Sequence, residues 1–248
     1  MKGLFTLLLS ITFFTPFAQK QKTHAEQLWL GYFNQTRFSN RWGTWVDLQL
    51  RTKEDFVHDL SQGVARLGLT YYLRDYLKLT AGYAFFNFFP ADAHANISQP
   101  EHRIWQQVQW DNKYQWLRLT QRVRLEERFL RKIKNDDELA EGYNFNYRTR
   151  YSVTVSAPLS KNAFAPGTFS AVLSDEVMFN FGKEIVHNTF DQNRFFAGLA
   201  FHTNAHDNLQ FGYMNLFQQL PPGNRYRIIH ALRIYYIHNL DLRKNKNI

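Results

Sequence analysis

From Tyr143 to Val155 the chain keeps two separate registers. Tyr143, Phe145, Tyr147, Thr149, Tyr151, Val153 and Val155 form one; Asn144, Asn146, Arg148, Arg150, Ser152 and Thr154 form the other. Successive members of a register would lie about 200° apart around a helix, but they share one face of a strand. The segment therefore reads as a strand with an apolar and a polar face. In 115–129, Leu117, Leu119, Val123, Leu125 and Phe129 oppose Arg118, Thr120, Arg122, Arg124, Glu126 and Arg128. The alternation returns at 42–51, 77–85 and 194–201, with further candidates near 28–37, 62–73, 101–110, 168–180, 208–218 and 225–240, eleven in all. Many reach the ~9–11 residues with which a tilted strand crosses a bilayer.

The connections carry a second signal. Short ones around Ser39-Asn40, Arg74-Asp75, Asp111-Asn112 and Ala205-His206 mostly alternate with longer ones at 52–59, 89–100, 130–141, 181–190 and 219–224. Short turns at one end and longer loops at the other are the layout of an outer-membrane barrel. The 156–167 connection is longer than this scheme expects. The expected fold class is all-β, a transmembrane antiparallel up-and-down β-barrel of about 10–12 strands. Single-chain bacterial barrels have even strand numbers, so twelve is expected first and ten second. A soluble lipocalin-like barrel around an apolar ligand would turn the apolar register inward, but such barrels have fewer strands.

The first residues differ in kind. MKGLFTLLLSITFFTPFA places Lys2 before an apolar run from Leu4 to Phe14, then Pro16 and Ala18, with polar QKQKTHAEQ following. This is the secretory pattern, and the run is too short to span a bilayer as a helix. Residues 1–18 are expected to be a signal peptide, with cleavage after Ala18, and 19–248 the barrel domain. Sec-type export then leads to the bacterial outer membrane.

Composition narrows the functions. Of 248 residues, 17% are aromatic, yet mean hydropathy is −0.46, as a polar lumen would dilute it. The net charge is +9, falling to +8 without Lys2. The surplus suits anionic headgroups or small anionic solutes. Nucleic acid is not expected, because the basic residues alternate with apolar ones instead of clustering. Cysteine is absent, which excludes disulfides, thiolate metal sites and a lipidated N-terminal cysteine. Aromatics at Trp29, Tyr32, Trp42, Tyr71, Tyr72, Tyr76, Phe85, Trp110, Tyr114, Trp116, Tyr226, Tyr235 and Tyr236 sit near strand ends, where interfacial girdles belong.

Trp29-Leu30-Gly31-Tyr32-Phe33-Asn34-Gln35-Thr36-Arg37, Arg124-Leu125-Glu126-Glu127-Arg128-Phe129, Asp191-Gln192-Asn193-Arg194-Phe195-Phe196-Ala197-Gly198-Leu199 and Leu209-Gln210-Phe211-Gly212-Tyr213-Met214-Asn215 carry a resemblance. The chain resembles an uncharacterised family of Bacteroidota outer-membrane proteins, the domain-of-unknown-function 2490 family. The resemblance implies an outer-membrane barrel and supplies no activity.

Candidate chemistry lies in the polar register of the middle strands: Arg118, Arg122, Arg124, Glu126, Arg128, Arg148, Arg150, Glu176 and Arg194. Arg on the lipid face costs ~2–4 kcal/mol at the midplane, so these side chains belong in the lumen. There they form either an interlocked Arg–Glu network or a basic constriction that prefers anions. Asp47 and Glu101 are further candidate acids. No Gly-x-Ser-x-Gly elbow, His-Glu-x-x-His or acidic metal cluster occurs, so no catalytic residue, metal or cofactor is expected. A lipid-modifying enzyme would use one of the scattered Ser and His residues. The expected partners are outer-membrane lipid and small anionic solutes, around a monomer. N-terminal sequencing of the exported protein is expected to begin at Gln19; a membrane-bound form retaining Met1 would contradict the cleavage assignment.

Overall fold

The computed structural model describes residues 20–91 and 94–243. The proposed signal peptide lies outside the described residues. Eleven strands follow one another: β1 (Gln21–Arg37), β2 (Trp42–Glu54), β3 (His58–Arg74), β4 (Leu77–Phe88), β5 (Gln99–Tyr114), β6 (Leu117–Ile133), β7 (Leu139–Pro158), β8 (Phe169–Phe181), β9 (Phe190–His202), β10 (Asp207–Gln219) and β11 (Arg225–Asp241). Each pairs antiparallel with its sequence neighbours, and β1 closes the barrel against β11.

Eleven lies inside the expected range, but the even-number expectation fails. An up-and-down meander with an odd strand count leaves its first and last strands pointing the same way, so closure needs a parallel seam. That seam runs from Gln21↔Arg225 to Arg37↔Asp241. The expected turn at Asp111-Asn112 is also corrected. Both residues lie within β5, paired with Thr120 and Leu119, and the chain reverses at 115–116. The long connections at 52–59 and 130–141 shrink to 55–57 and 134–138, because the residues on either side continue the ladder to Glu54↔His58 and Ile133↔Leu139.

The apolar register faces outward. Leu67 is 60% exposed and Val123, Tyr151 and Phe195 lie open on the same outer surface, whereas Arg66, Arg124, Arg150 and Ser152 are buried inside. This is the reverse of a soluble barrel that wraps an apolar ligand. Asp175 interrupts the outer face and accepts a hydrogen bond from Asn193 at 2.9 Å. Toward the long-loop end, rings pack across strands: Phe129 on Phe145, Tyr147 on Phe181, and Phe217 on Tyr226. Trp42 on Tyr71, with exposed Tyr76 and Trp116, edges the short-turn end. Also at that end, Arg37 donates to Asp75 at 2.6 Å and holds its carboxyl below the usual carboxylate range.

Three expected girdle residues belong elsewhere: Tyr72, across from the buried Lys78, faces inward beneath the Arg37 guanidinium, and two others lie deeper. Trp29 and Tyr235 are buried in the lumen, because their registers place them opposite Arg51 and among inward-facing residues. They join Phe196, Met214 and Ile229 in one apolar cluster; Trp45, Phe86 and Trp105 form another. Gly68 makes room for the second. A Cβ there would lie 2.9 Å from the Trp105 ring, inside any real contact distance. Gly68→Val is expected to destabilise the barrel by ~1–3 kcal/mol, read as a lower denaturant midpoint in detergent; an unchanged midpoint would mean that Trp105 is free to move.

Candidate functional site

Strands β5 to β9 bring the polar register together because they are consecutive neighbours in the sheet. Glu126 sits at the centre, 1% exposed. Arg148 donates to it from Nη2 at 2.6 Å, Arg150 from Nη1 at 2.8 Å and Arg103 from Nη1 at 3.2 Å, with Arg124 3.7 Å away. Glu176 holds the other side, accepting from Arg150 and Arg122, both at 2.7 Å, with Arg194 at 3.8 Å. Glu101 accepts from Arg103 and Arg128, each at 2.6 Å. Asp191 takes Arg148 at 2.9 Å, and Asp47 is paired with Arg66. Each carboxylate is therefore met by charge-assisted hydrogen bonds, most from more than one strand.

The arrangement follows from register. Glu126 lies directly across from Arg148, and Glu176 directly across from Arg194. Arg124 faces Arg150, a like-charge pair relieved because Arg150 reaches sideways to both glutamates. Arg124 itself leans away, donating from Nε and Nη2 to Gln107 at 3.0 and 2.7 Å.

Charge in this layer does not balance. Ten arginines (Arg51, Arg66, Arg103, Arg122, Arg124, Arg128, Arg148, Arg150, Arg194 and Arg233) meet five carboxylates (Asp47, Glu101, Glu126, Glu176 and Asp191). Aromatic faces take up part of the excess. Arg51 lies 3.5 Å from the Trp29 centroid, Arg233 3.3 Å from Phe196 and Arg124 4.5 Å from Trp105, while Arg103, already paired with two glutamates, also lies 3.4 Å from Phe86. Such contacts contribute about 0.5–2 kcal/mol each, depending on desolvation. The Nε atoms of Arg51, Arg66, Arg103 and Arg233 are buried without a protein acceptor.

A family model described as "Protein of unknown function (DUF2490)" matches residues 26–227. The chain belongs to this family. No curated protein matches it. A solved structure of NanC porin in a rhombohedral crystal form aligns with a TM-score of 0.44 and 10% identity, over 79% of this chain and 88% of that one. So faint a likeness carries no argument.

The DUF2490 span contains every arginine and glutamate expected in the lumen, whereas Arg233 on β11 lies beyond it. Arg118 stands apart from the rest. It lies near the short-turn end, its guanidinium 3.7 Å from the ring of Phe164, a residue of the long 159–168 connection. Arg51, Arg66, Arg103, Asp191 and Arg233 are additions to the sequence-derived set. Arg66 and Arg103 share registers with the buried Gln62 and Glu101, which could have found them. Asp191 was hidden because a register shift beside Met178 buries both it and Gln192.

One Ser–His pair also emerges. Ser170 Oγ lies 3.0 Å from His202 Nε2, both buried, with Phe164 edge-on over the imidazole. Among the described residues no carboxylate bonds His202, so nothing orients the ring as a base. His230 is on the outer face, 2.6 Å from the Tyr213 hydroxyl and stacked on His24.

Glu126→Gln leaves several buried guanidinium groups short of their counter-charge and is expected to cost ~3–5 kcal/mol. Glu138→Gln, which breaks the exposed Lys134–Glu138 pair at 2.6 Å, is expected to cost less than ~1 kcal/mol. Denaturant unfolding in detergent compares the two; equal losses would remove Glu126 from its central place.

Proposed function

We propose that the protein is a monomeric outer-membrane barrel whose lumen is held shut at mid-height by the Arg–carboxylate layer, serving a structural role and not general diffusion. An outward apolar belt, aromatic rings toward both ends and a polar interior support the membrane reading. The closed lumen rests above all on one observation. Two cavities, of about 160 and 350 Å³, lie on either side of the layer, and the residues common to both linings are Trp29, Arg66, Arg150 and Arg194. Three of these are anchored: Arg66 by Asp47, Arg150 by two glutamates, and Trp29 between Arg51 and Arg194.

The surplus of arginine favours a second reading, a narrow passage that prefers anions. Conductance in a planar bilayer under a salt gradient separates the two. The closed barrel is expected to insert without current steps. Steps whose reversal potential shows anion preference would overturn it in favour of the passage, and large unselective steps would overturn both. Placement in lipid has its own test. Leu67→Arg, at the height of the buried Arg66, is expected to cost ~2–4 kcal/mol when the barrel unfolds from lipid vesicles. No loss would mean that this face does not meet the bilayer core.

A further inference from the structure

We infer that the cavity on the long-loop side of the ion layer is a binding site for one small soluble oxyanion, of which inorganic phosphate is the simplest probe. Arg51 carries the argument. It is 6% exposed, yet no carboxylate lies within ion-pair distance of it among the described residues. Its Nη1 and Nη2 donate to the neutral amide oxygens of Gln62 and Gln49 at 2.6 and 2.7 Å, and its Nε has no protein acceptor. A buried guanidinium without a counter-charge is costly, and the protein supplies none here.

A second cation sharpens the demand. The guanidinium groups of Arg51 and Arg194 lie 3.5 and 5.1 Å from the centroid of the same indole, that of Trp29. Arg194 donates from Nε and Nη2 to Gln192 at 3.2 Å and approaches Glu176 only to 3.8 Å. Both arginines line the cavity, as does Arg227 at its open side. Asp191 is the carboxylate in that lining, and Arg148 already occupies it.

Size and enclosure choose the ligand. A polar cavity of about 160 Å³ holds an oxyanion of a few heavy atoms with some water, but not an extended chain. The barrel wall separates it from the outer surface, so a lipid headgroup with its acyl chains attached does not reach it. Guanidinium forks match the paired oxygens of phosphate, and amides complete the shell as donors.

The inference stands apart from conduction: the site fills whether or not the layer beyond it opens. Its test is thermal unfolding of the full mature barrel in phospholipid-free detergent, with phosphate titrated against chloride at matched ionic strength. Native protein is expected to gain on the order of a few degrees with saturable dependence on phosphate. Arg51→Gln is expected to lose that gain, and Arg233→Gln, which faces the other cavity, to keep it. Should Arg51→Gln fail to fold, Arg227→Gln takes its place, with a weaker phosphate effect expected. No gain overturns the proposal. So does a gain that never saturates and is the same in the cavity variant, since that is general salt exclusion. Because the assay reads binding alone, its failure leaves the closed-barrel reading standing.

Discussion

The carboxylate of Glu126 is the interaction on which the interior depends. It lies at the middle of β6, almost without solvent, and draws donors from β5 and β7. Those arginines reach onward, Arg148 to Asp191, Arg150 to Glu176 and Arg103 to Glu101. One anion thus ties five consecutive strands into a single lattice. Burying so many charges is expensive, and well-packed apolar residues in place of a buried ion pair are often neutral or stabilising. What the lattice provides is a polar cross-section whose charges are held by one another across neighbouring strands.

The rest of the barrel accommodates that layer. The outward register needs no partner of its own because it is apolar, and the inward one divides its work around the circumference. On β5 to β9, carboxylates meet guanidinium groups; on the opposite wall, Trp29 and Trp45 present ring faces to Arg51 and Arg124, which among the described residues donate to glutamine amides and to no carboxylate. Glycine opposite glycine, at Gly68↔Gly82 and Gly198↔Gly212, brings neighbouring strands close where large inward rings must fit. The seam between β1 and β11 completes the wall with an odd strand count.

Much of this was legible in the sequence because strand periodicity is strict. A register such as Arg148, Arg150, Ser152 against Tyr147, Tyr151, Val153 fixes both the element and the side each residue takes. What alternation alone does not settle is the phase of a residue whose chemistry suits either face. Trp29 reads as a girdle aromatic by type, but cross-strand pairing with Arg51 turns it inward. Asp191 was obscured by an irregularity that no local pattern announces, and strand parity by an expectation taken from other barrels. The pairing of Ser170 with His202 depends on two strands meeting, which neither segment shows by itself.

The claim that an ion layer divides the lumen has a direct measurement, because the chain has no cysteine of its own. Ser61→Cys places a thiol in the cavity on the long-loop side, and Ser156→Cys places one in the cavity on the short-turn side. Each variant, inserted in one orientation into vesicles, is exposed to a small charged thiol reagent from one side and then from the other. A closed layer predicts that each cysteine reacts from its own side only, and from opposite sides in the two variants. Labelling of either cysteine from both sides would contradict it.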